Sequence, residues 1–151
     1  MNAATPFALT RALAQFAAGA KEFPPEALQA ASWGVADAAA LVVRSRREPV
    51  IEALLPLHGR EVAGGSSLLL GPRRVDPADA AMVNAAGAHA FALDDVAWGC
   101  HPSATLFPAL LAVGEALDAS GERLLRAWVV GYEVMAELAS REPGSFHATG
   151  W

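Results

Sequence analysis

Small and medium apolar residues recur along this chain at three- and four-residue spacings, and proline and glycine interrupt them. This pattern constrains the fold more than any other feature. Leu9, Leu13, Phe16 and Ala20 form one stripe, and Leu28, Ala31, Val35, Ala38 and Val42 form a second. Such spacing puts the apolar side chains on one face of an α-helix. Alanine dominates a hydrophobic content of 54%, which favours helix and lets neighbouring helices approach closely. The pattern predicts an all-α, bundle-like domain of about six helices occupying residues 1–151 as a single unit.

The breakers divide it. Thr5 and Pro6 suit the start of a first helix running to Ala20. Pro24 and Pro25 open a second helix, closed by Arg44, Arg46, Arg47 and Pro49. A short helix over Val50 to Leu57 stops at Gly59. Gly64 and Gly65 suggest a turn, and Ser66 to Leu70 a short strand or extended segment, bounded by Gly71, Pro72 and Pro77. Asp76 is placed to cap a helix over Pro77 to Phe91. After a loop from Leu93 to Ser103, Leu106, Leu110, Val113 and Leu117 form the stripe of a further helix. Ser120 and Gly121 separate it from a last helix with Leu124, Trp128, Tyr132 and Met135 on one face, and Glu142-Pro143-Gly144 breaks the chain again.

Charge narrows the function classes. The net charge is −5, and Lys21 is the sole lysine. Phosphate neutralisation needs a basic face, so no nucleic-acid partner is expected. The cluster Arg44, Arg46 and Arg47 suits a helix C-terminus, where positive charge is favoured. Cys100 is the single cysteine, which fits a reducing, cytoplasmic compartment. Met1 to Ala20 lacks the basic start of a secretory signal, and no apolar run reaches the roughly 18 residues that span a bilayer, so no membrane association is expected. The high apolar load suggests that another subunit or further chain covers some of the surface.

Reactive side chains concentrate in the loop Asp94-Asp95-Val96-Ala97-Trp98-Gly99-Cys100-His101-Pro102-Ser103. Adjacent carboxylates beside a histidine can tune one another for proton transfer. The same residues also make sense as helix punctuation, the Asp pair ending one helix and His-Pro-Ser opening the next. His89, Asp94, Asp95, Cys100 and His101 are possible metal ligands, but neither Cys-x-x-Cys nor His-Glu-x-x-His spacing occurs, so no metal is expected. Cys100 beside His101 reads as a packing cysteine, since a thiol nucleophile draws its partners from elsewhere in the fold. Gly64-Gly65-Ser66 matches no phosphate-binding loop.

Around this loop the sequence resembles the MmgE/PrpD family, that of 2-methylcitrate dehydratase. Asn84 to Asp95 followed by His101-Pro102-Ser103 is similar to the family pattern Asn-Gly-x-x-x-His-x-x-Asp-aromatic-Asp-Asp and then His-Pro-Ser or His-Pro-Gly. Leu9 to Ala17, Asp37, Pro77 to Asn84, Ser120-Gly121, Gly131-Tyr132-Glu133-Val134 and Phe146-His147-Ala148-Thr149-Gly150 resemble other family segments in their order. The resemblance implies the N-terminal part of the family's helical domain, without its smaller α/β lid. It also implies proton movement next to a carboxylate of a small di- or tricarboxylic acid, as in methylcitrate dehydration, cis-aconitate decarboxylation or iminodisuccinate epimerisation, with no metal or organic cofactor. His101, His147, Asp94 and Asp95 match residues at the family's active site. Ala92, Leu93 and Val96 depart from it, standing where relatives have an aspartate, an aromatic residue and often a threonine, which points to a different substrate or a decayed site. The expected partners are a carboxylate substrate and either a second copy of the chain or a polypeptide supplying the C-terminal part. No substantial dehydratase activity is expected of the chain alone, and a non-catalytic dimerisation module is the competing reading.

Overall fold

A computed structural model describes residues 8–141. It contains α1 (Leu9–Gly19), α2 (Pro25–Arg44), a 3₁₀ turn (Ser45–Arg47), α3 (Pro49–His58), strands β1 (Glu61–Leu68) and β2 (Arg73–Val75), α4 (Pro77–His89), α5 (Pro102–Ala116) and α6 (Gly121–Arg141). The fold is mainly helical, and the all-α expectation is corrected by the small antiparallel hairpin of β1 and β2. The expected start at Thr5-Pro6, the breaker at Pro143-Gly144 and the Phe146–Gly150 segment lie outside the described residues. No helix among the described residues is long and apolar enough to cross a membrane.

The second helix forms as its period predicts. Pro25 occupies its first position, where a missing N–H costs nothing, and Ala31, Ala38 and Val42 are buried along one face. The arginines close it, with Arg44 in the last turn and Arg46 and Arg47 in the 3₁₀ turn. In α4 the Asp76 carboxylate accepts from the Ala78 N–H at 2.9 Å and caps the helix, while Pro77 fills the first position. Ala80, Val83, Asn84, Gly87 and Ala88 are buried on more than one side of α4, so this helix runs through the middle of the molecule between α2, α3, α5 and the hairpin.

The glycines expected to turn lie inside β1 instead, and the turn falls at Leu69–Pro72. The register shifts between Glu61 and Ser66, a bulge centred on Gly64 and Gly65. A Cβ on Gly65 would lie 2.2 Å from the Val75 carbonyl oxygen, so only glycine permits this approach. Polar side chains then fasten the hairpin to the helices. Asn84 of α4 accepts from the Leu69 N–H at 3.1 Å and donates to the Ser67 carbonyl at 2.9 Å, completing the strand's open edge as another strand would. Glu115 of α5 accepts from the Ser67 N–H at 2.6 Å and from its hydroxyl at 2.7 Å, and Ser66 donates to the Ala112 carbonyl at 2.7 Å.

The stripe expected on α5 is only partly buried. Leu106 and Leu110 are half-buried, with Leu106 packed on Gly131 of α6, while Val113 and Leu117 are 54% and 65% exposed. The fully buried residues are Pro102, Ser103, Ala104, Phe107, Pro108 and Ala112. On α6, Trp128 is buried as expected, with Leu124, Tyr132 and Met135 half-buried around it.

Candidate functional site

The loop between α4 and α5 is shaped by three residues with positive φ: Ala92 (+50°), Trp98 (+53°) and Gly99 (+73°). Trp98 and Gly99 form a two-residue turn, closed by the Ala97 N–H to Cys100 carbonyl (3.1 Å) and the Cys100 N–H to Ala97 carbonyl (2.8 Å). Two consecutive left-handed residues are what a tight hairpin turn needs. The turn brings His101 to the N-terminus of α5 and back toward the end of α4.

Asp94 lies at the centre. Its side chain is fully buried, with Oδ1 2.9 Å from Nδ1 of His89 and Oδ2 3.0 Å from Nδ1 of His101. An ionised carboxylate only accepts, so each imidazole carries its proton on Nδ1 and, when neutral, keeps a free lone pair on Nε2. The two rings meet edge to face with centroids 4.2 Å apart. Both reach solvent, His89 more than His101.

Asp95 faces the other way. Its Oδ1 accepts from the Ser103 N–H at 3.0 Å and caps α5, whose own N-cap residue His101 offers no side-chain cap. Its Oδ2 accepts from the Tyr132 hydroxyl of α6 at 3.4 Å. Burial raises the Tyr132 phenol above its ordinary 10.0, and the Asp95 charge and hydrogen bond raise it further. Trp98 and Trp128 pack on the Tyr132 ring at centroid distances of 5.3 and 4.6 Å. Behind them Gly34 is required by space, since a Cβ there would lie 2.8 Å from both the Ser103 hydroxyl and the Trp128 ring.

Two clefts adjoin this loop. One, about 520 Å³, lies between α1 and α6 and includes Trp98, Glu133 and Glu137 in its wall. The other, about 420 Å³, is lined by Gly34, Asp95, Trp128, Tyr132 and Glu133, among others. Among the described residues, neither wall contains a lysine or arginine.

The MmgE/PrpD N-terminal domain model matches residues 11–151. The chain belongs to the MmgE/PrpD family. No curated protein and no solved structure matches it at the significance required.

The structure brings Asp94 and His101 together. It separates Asp95 from them in role, and His147 lies outside the described residues. The sequence marks His89 only as a motif residue and a possible metal ligand, yet it is hydrogen-bonded to Asp94 as closely as His101 is. Its position, the last residue of α4 and five before Asp94, was the available signal. Tyr132 belongs in the sequence both to a packing face and to the family-like Gly131-Tyr132-Glu133-Val134 segment, and neither specifies its contact with Asp95, 37 residues away. Cys100 is half-buried in the turn, with no disulfide partner. Of the positions that depart from the MmgE/PrpD pattern, Leu93 and Val96 are 71% and 66% exposed on the loop surface, and Ala92 holds a left-handed conformation that aspartate adopts more readily than alanine.

Proposed function

We propose that this chain carries the acid–base part of a carboxylic-acid lyase of the 2-methylcitrate dehydratase type. The observation that carries the reading is the buried Asp94 carboxylate holding His89 and His101 through Nδ1. Removing a proton next to a carboxylate needs a base within reach, and expelling the leaving group needs an acid. In this reading His101 presents its free Nε2 to the substrate, while Asp94 fixes the ring's tautomer and stabilises the imidazolium once the proton has moved. His89, sharing the same carboxylate, supplies the second proton position. Asp95 acts through structure, setting the N-terminus of α5 from which His101 projects. Decarboxylation of cis-aconitate and epimerisation of iminodisuccinate draw on the same proton step and are alternative activities of such a site.

A substrate with two or three carboxylates also needs cations, best supplied by arginine or lysine. The walls of the adjoining clefts carry Asp95, Glu133 and Glu137 instead. The substrate-binding cations therefore come from outside these walls, and turnover of 2-methylcitrate or citrate by this polypeptide alone is expected to match that of its His101→Ala variant. The test is a chimera in which this chain replaces the N-terminal part of an active MmgE/PrpD enzyme. Turnover is expected, falling at least a hundredfold with His101→Ala, the scale of a lost general acid–base group. A chimera that folds and stays silent beside an active parent would overturn the reading.

A further inference from the structure

We propose that His89, Asp94 and His101 form a binding site for one divalent first-row transition-metal ion. Each offers one ligand atom, and the three lie within 4.8 Å of one another. The two imidazole-to-carboxylate separations are 2.9 and 3.0 Å. Ligands about 2.0–2.1 Å from a tetrahedral zinc-like ion stand roughly 3.3 Å apart, so both contacts need to open by only a few tenths of an ångström to become edges of such a shell. The His89 side chain is 49% exposed, so one side of the cluster is open to solvent.

Charge favours the same occupant. The Asp94 side chain has no solvent exposure, and its ion-pair partners among the described residues are the two imidazoles alone. A buried carboxylate is costly unless a positive charge accompanies it. A divalent ion would supply that charge, each neutral imidazole shifting its proton from Nδ1 to Nε2 so that Nδ1 can ligate. Two imidazoles and one carboxylate select zinc, cobalt, nickel, iron or copper over magnesium and calcium, which prefer all-oxygen shells. The exposed sides of both rings give an ion its entry path and leave its remaining positions to water or a small anion. With the ion on Nδ1, the proton sits on Nε2, the atom the acid–base role needs free, so the metal-bound form is a blocked form of the site.

The inference does not depend on lyase activity, because binding is read directly on the 151-residue chain. Zn²⁺ is titrated calorimetrically, and Co²⁺ by its visible absorption. One equivalent is expected to bind, weakened at least tenfold by His89→Ala and by Asp94→Asn, with circular dichroism confirming that both variants stay helical. His58 and Asp79 form a single imidazole–carboxylate pair at 2.8 Å without a second histidine, so His58→Ala serves as the control and is expected to bind like the parent. Absence of stoichiometric binding would overturn the proposal. So would binding that survives in both folded variants, or binding lost with His58→Ala alone.

Discussion

Helices α4 and α1 have similarly apolar sequences and opposite fates. Five residues of α4 are buried, whereas none of α1 is. Helix α4 touches α2, α3, α5 and both strands, while α1 packs chiefly against α6. The difference lies in side-chain size and polar fastening. Helix α4 is rich in alanine, with Gly87 where it meets α2, so neighbours approach it from several sides, and Asn84 ties it to the hairpin. Helix α1 has one stripe of larger residues, enough to lie on a surface but not to fill a centre. The His89–Asp94–His101 cluster grows from the end of α4, the better-anchored of the two. The cleft beside Trp98 has α1 as one wall and is correspondingly less constrained.

The sharpest way to break this comparison is Asn84→Ala. Asn84 is fully buried, and its amide satisfies the Leu69 N–H of the turn and the Ser67 carbonyl of β1. Removing it leaves two part-buried backbone groups without this partner, at about 1–2 kcal/mol each, so a loss of roughly 2–4 kcal/mol is expected in urea unfolding. A loss no larger than that of an exposed substitution would mean that the hairpin is not held by α4.

The next effect concerns the loop that α4 leads into. Asp95→Ala removes the α5 cap and its negative charge at a helix N-terminus, an expected loss of about 1–2 kcal/mol. Asp95→Asn keeps an acceptor and removes the charge, which isolates the electrostatic part. Tyr132 is the only tyrosine in the chain, so tyrosinate absorbance reads it alone. Its midpoint is expected above 10.0 in the parent and lower in Asp95→Asn, though still raised, because burial is the largest cause of the shift. A folded-state value above the unfolded one means a contribution to stability that is complete below pH 10.0 and lost as pH rises through the folded value. A midpoint unmoved by Asp95→Asn would separate Tyr132 from the loop.

How much of this was legible follows from the same physics. Helices α2 and α4 could be read because their proline starts, apolar period and, in α4, the Asp76 cap agree with one another. The hairpin was half-read, since Gly64 and Gly65 signal a turn by composition and their actual task is a close approach to Val75 that only the paired strand defines. The α5 stripe is legible only in its first half, Leu106 and Leu110, because the face fully buried also takes Ala104, Phe107, Pro108 and Ala112, which the aliphatic spacing passes over. Asp94 and His101 were legible as one loop, close in sequence. The opposite orientations of Asp94 and Asp95 were not, because they depend on where α6 places Tyr132 and where the Trp98-Gly99 turn sends the backbone.

The smallest expected effect sharpens the comparison from the α1 side. Phe16 is the largest apolar residue of its stripe, yet it is 47% exposed and lines the cleft beside Trp98. With about half its surface already in water, Phe16→Ala forfeits only part of the usual burial energy, and a loss of about 0.5–1 kcal/mol is expected in urea unfolding. Val83→Ala is the matched substitution on α4, smaller in volume but fully buried, and should cost more, about 1.5–3 kcal/mol. That ordering runs against side-chain size and follows burial alone. If Phe16→Ala proved the costlier of the two, α1 would be part of the folding core, and the cleft it borders would be a packed joint rather than an open wall of the site.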